Sequence, residues 1–97
     1  MYRVRFTKKA LETIEKLKNS PSDRGRYKAV VKSITLLSQD PHHNSLQTHS
    51  IHSIRGPAGQ KVFEAYAQQK TPAAYRIFWY YGPDHAAITV FAVTPHP

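Results

Sequence analysis

The residue whose setting most invites chemistry is Arg76. It interrupts Ala74-Tyr75-Arg76-Ile77-Phe78-Trp79-Tyr80-Tyr81, a run otherwise made of apolar and aromatic residues, and a guanidinium in such a place can hold a phosphate through two hydrogen bonds. The alternative is a solvent-face arginine without a role. In an extended strand Arg76, Phe78 and Tyr80 share one face, while Tyr75, Ile77, Trp79 and Tyr81 take the other. The second set is the more apolar and should pack inward, leaving Arg76 on the open face with Tyr80, whose ring can stack on a base. Glu64 shares a face with Val62 and Tyr66, and its carboxylate suits either a general base or, as the preferred reading, a salt-bridge partner for Arg76. All six histidines follow residue 40, and imidazoles titrate near neutrality. His96 lies between two prolines that stiffen the backbone around it, and an imidazole there is a competent acid or base. His42, His43, His49 and His52 form a cluster, but no carboxylate or cysteine accompanies them at a ligand spacing, so no metal site is expected and loop histidines are the plainer reading.

These side chains need a scaffold, and the hydrophobic spacing outlines one. Residues 2–6 alternate apolar and basic, as a strand with one buried face does. Thr7 suits an N-cap, after which Ala10, Leu11, Ile14 and Leu17 recur at helical spacing up to Asn19-Ser20-Pro21. Ser22 or Asp23 can cap a second helix with an apolar stripe of Tyr27, Val30, Val31, Ile34 and Leu37, ended by Asp40-Pro41. Lys28 and Lys32 lie on its opposite face. Residues 42–60 read as a long polar connection that allows a short turn or strand over residues 46–54. Strands are expected over 62–67, 74–81 and 86–93, joined by short turn-forming links and therefore forming an antiparallel meander. The expected order is β-α-α-β-β-β: an α+β domain over residues 1–97, with a helical hairpin packed on a mainly antiparallel four-stranded sheet.

A chain of 97 residues holds one core of modest size. With 11% aromatic and 40% hydrophobic residues it is not a disordered basic tail. The absence of cysteine excludes disulfide staples and thiolate metal sites. No apolar run is long enough to span a bilayer, and Met-Tyr-Arg-Val-Arg-Phe-Thr-Lys-Lys-Ala lacks the apolar stretch of a signal peptide, so a cytoplasmic protein without a membrane partner is expected. The formal net charge of +8 is unevenly placed: residues 1–39 carry +7 of it and residues 40–97 only +1. Such an excess attracts RNA or an acidic protein segment, with Lys28 and Lys32 among the docking groups.

Length, charge and element order together with three segments resemble the RelE/ParE superfamily of bacterial toxins. The segments are the opening Tyr-Arg-Val-Arg-Phe-Thr-Lys-Lys-Ala-Leu, the strand from Ala74 to Tyr81, and the terminal Ile88-Thr89-Val90-Phe91-Ala92-Val93. The resemblance implies the toxin of a toxin-antitoxin module, bound by a cognate antitoxin. It implies one of two activities: a ribosome-dependent mRNA endoribonuclease, without metal or other cofactor, that represses translation, or inhibition of DNA gyrase. A non-toxic binding protein of the same shape is the remaining alternative. On the nuclease reading Arg76 falls on the superfamily's central-strand arginine, His96 on the arginine or histidine just beyond the last strand, and Lys61 on a positive charge at the start of the second strand. His49 or His52 would stand in for the base that some members place ahead of that strand, and Tyr80 would be the stacking platform. A tyrosine commonly accompanies the position of His96, and here Pro97 follows it.

Overall fold

A computed structural model describes residues 1–95. Its strands and helices follow the order β1 (Arg3–Phe6), α1 (Lys8–Asn19), α2 (Arg24–Gln39), β2 (His49–Arg55), β3 (Lys61–Tyr66), β4 (Tyr75–Tyr81) and β5 (Ala87–Pro95), with single 3-10 turns at Pro21–Asp23 and Asn44–Leu46. The strands form one sheet in the order β1-β5-β4-β3-β2. β2 to β5 pair antiparallel, and β1 lies parallel to β5 with Arg3 opposite Ala87 and Phe6 opposite Val90.

The sheet therefore has five strands where four are expected. The additional one, β2, pairs His49 with Glu64, Ser50 with Phe63 and Ile51 with Val62 before a register break. It is an edge strand whose last four residues, His52 to Arg55, are all exposed, so it lacks the apolar alternation that marks a half-buried strand.

The helices begin and end as local chemistry dictates. The Thr7 hydroxyl accepts the Ala10 amide at 3.2 Å and opens α1. Asp23 stands at the N-cap of α2 but makes no side-chain cap bond; its carboxylate is taken by Arg26 at 2.5 Å, which holds the Asp23 pKa below the usual range. Of the stripe on α2, Val30 and Leu37 are buried and Tyr27 and Ile34 pack on the core, whereas Val31 is 40% exposed. Ser33 is buried instead: with 3.6 residues per turn it falls between Val30 and Leu37, whereas Val31 turns away from that line.

Both helices cover the same face of the sheet. Ile77, Trp79, Ile88, Val90 and Val93 meet Ala10, Leu17, Val30 and Leu37 there, and burying such side chains contributes about 1.5–3 kcal/mol each. Trp79 is wholly buried, stacked on Phe63 at 4.7 Å and met edge-on by Tyr81 at 4.9 Å. Its indole Nε1 has no acceptor. Among the described residues no helix is long and apolar enough to cross a membrane.

The Trp79 environment separates two substitutions. Trp79→Ala should lose about 3–5 kcal/mol in urea denaturation, whereas Trp79→Phe keeps most of the ring, discards an unsatisfied N–H and should lose much less. Equal losses would mean that the indole nitrogen is satisfied. Tyr81 adds an alkaline signature. Burial, and then Tyr2 beside it, push its phenol above the ordinary value of 10.0. The folded chain thus holds this proton longer than the unfolded one, so stability is unaffected below that value and declines as pH rises through it. Tyr81→Phe should flatten that decline, measured as the urea midpoint between roughly pH 8 and 11.

Candidate active site

The face away from the helices carries the chemistry. β3 and β4 pair Glu64 with Phe78 and Tyr66 with Arg76, and β2 places His49 opposite Glu64. Three titratable or charged side chains on neighbouring strands thereby converge. Glu64 Oε2 lies 2.5 Å from Arg76 Nη1, and Glu64 Oε1 lies 2.9 Å from His49 Nε2. The Glu64 side chain is 3% exposed, Arg76 15% and His49 48%. A carboxylate buried this deeply remains ionised only if it is paired, and here one oxygen faces the Arg76 guanidinium and the other the His49 ring. The favoured sequence reading of Glu64, pairing with Arg76, is what the structure shows.

The His49 ring is held at both nitrogens: Nδ1 is 3.1 Å from the Gln47 carbonyl oxygen and Nε2 faces Glu64. Arg76 also lies over the Phe78 ring, 6.0 Å from its centroid. Its Nε is buried with no acceptor. The guanidinium is thus held in place with donor capacity left over.

Tyr80 is on this open face, four residues along β4 from Arg76. It is only 9% exposed, a cavity wall more than an open platform, because the β2–β3 hairpin tip folds towards it. Gln60 organises that tip: its Oε1 accepts the Ala58 amide at 2.8 Å, and its side chain occupies the space beside Gly56, where a Cβ would clash with Oε1. The same side chain reaches Gly82 in the β4–β5 turn, whose φ of +128° disfavours any residue with a Cβ.

The remaining sequence candidates lie elsewhere. Lys61 is exposed, and being one residue out of step with Val62 and Glu64 it has the parity of the opposite face. Lys28 and Lys32 are exposed on α2, in the helical layer on the far side of the sheet from Arg76. His42 packs edge-on against Phe63 and Trp79, and the His43 ring accepts the Ser45 amide; both are accounted for by structure. His96 lies outside the described residues. Pro95, just before it, stands opposite Tyr75, the neighbour of Arg76. Glu64 and His49 stand out in the sequence separately but not as partners, because their pairing depends on β2, which lacks apolar alternation.

Arg76→Met alone should cost about 3 kcal/mol, since it leaves Glu64 buried with one partner, and Glu64→Leu with Arg76→Met should recover much of that loss. Urea denaturation of the single and double variants checks this. A single variant as stable as the parent would mean that the pair is not desolvated.

Neither a family model nor a curated protein sequence matches this chain. Solved structures do. The YoeB dimer from Staphylococcus aureus matches with a TM-score of 0.70 at 9% identity, over 99% of this chain and 98% of that one. The archaeal RelE-RelB complex from Pyrococcus horikoshii OT3 gives 0.67 at 16% identity, over 97% and 93%. The YoeB/ParE toxin from Agrobacterium tumefaciens gives 0.70 at 8% identity, over 98% and 99%. These likenesses span nearly the whole of each chain, and the protein has the fold of the RelE, YoeB and ParE toxins.

Proposed function

We propose that this protein is the toxin of a toxin-antitoxin module and a metal-independent endoribonuclease that cuts mRNA on the ribosome, repressing translation in the cytoplasm. The observation that carries this reading is the convergence of His49, Glu64 and Arg76 on the uncovered face of the sheet, within the fold of RelE and YoeB proteins. The P. horikoshii neighbour is a RelE-RelB complex, which supports a protein partner of the antitoxin kind here.

The chemistry follows from exchanging partners. An incoming phosphate competes with Glu64 for Arg76 and, on winning it, leaves Glu64 Oε2 unpaired beside the scissile group. The carboxylate then takes the proton of the ribose 2′-OH, and the 2′-oxygen attacks phosphorus. Arg76 stabilises the charge that develops on the phosphoryl oxygens, joined by His49 when its ring is protonated. The bond to the 5′-oxygen breaks, and His96 supplies the proton for that leaving group. The products are a 2′,3′-cyclic phosphate and a 5′-hydroxyl. Lys28, Lys32 and Lys61 act at a distance, as part of the positive field that draws in a polyanion.

One observation favours a second reading. Both oxygens of Glu64 are engaged and its side chain is 3% exposed, as suits an anchor in a toxin that binds DNA gyrase and cuts nothing. Induction in a bacterial host separates the two. The nuclease arrests growth and leaves cuts within translated messages, mapped by primer extension; Glu64→Gln, Arg76→Ala and His96→Ala each reduce cutting by about 10²-fold or more while the chain stays folded. Cutting by all three variants would falsify the site. Arrest with intact messages and blocked supercoiling would assign the protein to gyrase.

A further inference from the structure

Four residues along β4 from Arg76, about 13 Å at the rise of a strand, the open face holds a second constellation. Arg5 on β1, Thr89 on β5 and Tyr80 on β4 form one rung of the sheet. Phe91, two residues on from Thr89, joins them on the same face, its ring centroid 5.8 Å from that of Tyr80 and 6.3 Å from that of Phe78. β5 carries one extra residue between the partners of Phe78 and Trp79, and that bulge turns Val93 back to the core. The hairpin tip supplies the facing wall. Between them lie two adjoining cavities of about 490 and 190 Å3, which share Thr7, Pro57 and Tyr80; Arg5 lines the larger and Arg55 the smaller.

The chemistry of this place is specific. Arg5 and Arg55 are exposed and form no ion pair among the described residues, while Asp84 on the adjoining turn is already held by Arg3 at 2.7 Å. The hydroxyls of Thr7 and Thr89 are spent on the Phe91 and Gly82 carbonyls, so they offer no donor. The walls therefore present aromatic surface, two uncommitted guanidinium groups and the Gln60 amide.

We propose that this cavity is a nucleotide-binding subsite for single-stranded RNA, with one base against Tyr80 and Phe91 and its flanking phosphates on Arg5 and Arg55. The proposal rests on RNA being the substrate. Stacking on an aromatic wall stabilises a base whatever its sequence, and guanidinium groups track the backbone. An acidic protein segment would use the arginines and leave the aromatic walls unused. The row from Tyr80 through Phe91 and Phe78 to Arg76 joins the subsite to the His49–Glu64–Arg76 cluster, so one strand occupies both. The subsite sets which nucleotide lies at the cluster.

The test is binding of the full chain to a short 2′-O-methyl RNA, which cannot be cut, by fluorescence anisotropy over a range of salt. Tyr80→Leu should weaken binding about tenfold or more. Arg5→Gln with Arg55→Gln, at exposed positions where folding is not at stake, should lower the salt slope by about one to one and a half. One abasic position in the RNA should weaken binding to the parent chain but not to Tyr80→Leu. Competition by adenosine monophosphate would show that base and phosphate alone suffice, and its failure with the strand still bound would show that the subsite takes a nucleotide only within a strand. Unchanged affinity and salt slope in the double-arginine variant, or displacement of polyglutamate in place of RNA, would overturn the subsite. Binding that behaves as expected with a natural RNA left uncut would overturn the nuclease reading alone.

Discussion

Two helices cover one face of a five-stranded sheet, so whatever stands on the other face has to find shelter without a helical layer. That constraint explains the open face better than any single residue does. On the covered side the solution is ordinary: Ile77 and Trp79 from β4 and Ile88 and Val90 from β5 interlock with α1 and α2. On the open side Glu64 is buried by its own ionic partners, and Tyr80 by a hairpin tip that Gln60 folds towards the Gly82 turn. Burying a polar group without a partner is costly: both Glu64 oxygens are engaged, whereas Arg76 Nε is not. A group that must leave its partner in order to act, as Glu64 must, stores the loss of that satisfaction until a ligand replaces it.

Charge is distributed differently in space than along the chain. The first 39 residues hold most of the positive excess, which suggests that docking and chemistry occupy separate parts of the molecule. The fold divides that segment instead. Lys28 and Lys32 remain with the helical layer, but Val4 and Phe6 pack on the core, and the alternation of β1 then turns Arg3 and Arg5 towards the side where Arg76 lies. Sequence distance between Arg5 and Tyr80 is erased by the parallel pairing of β1 with β5.

Much of this was legible in the residues because the relevant signals are local. Thr7 ahead of an apolar helical pattern marks a helix start, and the aromatic run of β4 with a single arginine fixes which side chains face inward. What was not legible depends on partners remote in the chain. β2 is largely polar and exposed, so the residues allow a short strand over 46–54 but do not mark its partner; pairing with β3 brings His49 to Glu64. Asp23 illustrates a smaller failure: its type suits a cap, but Arg26 one turn on competes for the carboxylate and wins. Val93 follows the same pattern, since strict alternation from Ile88 and Val90 would have sent it to the open face and a bulge in β5 returns it to the core.

The parallel pair at the edge of the sheet has a kinetic meaning. Arg3 to Phe6 find their partners between Ala87 and Val90, at the opposite end of the chain. The entropy of closing so long a loop has to be met before that contact returns anything. The rung that joins Arg5 to Tyr80 is therefore absent until the last strand is in place. Without β5 the helices also lack Ile88, Val90 and Val93, against which they pack, and the open face is incomplete. The surface that would act on other molecules comes into being only once the residues from Ala87 to Val90 have joined β1.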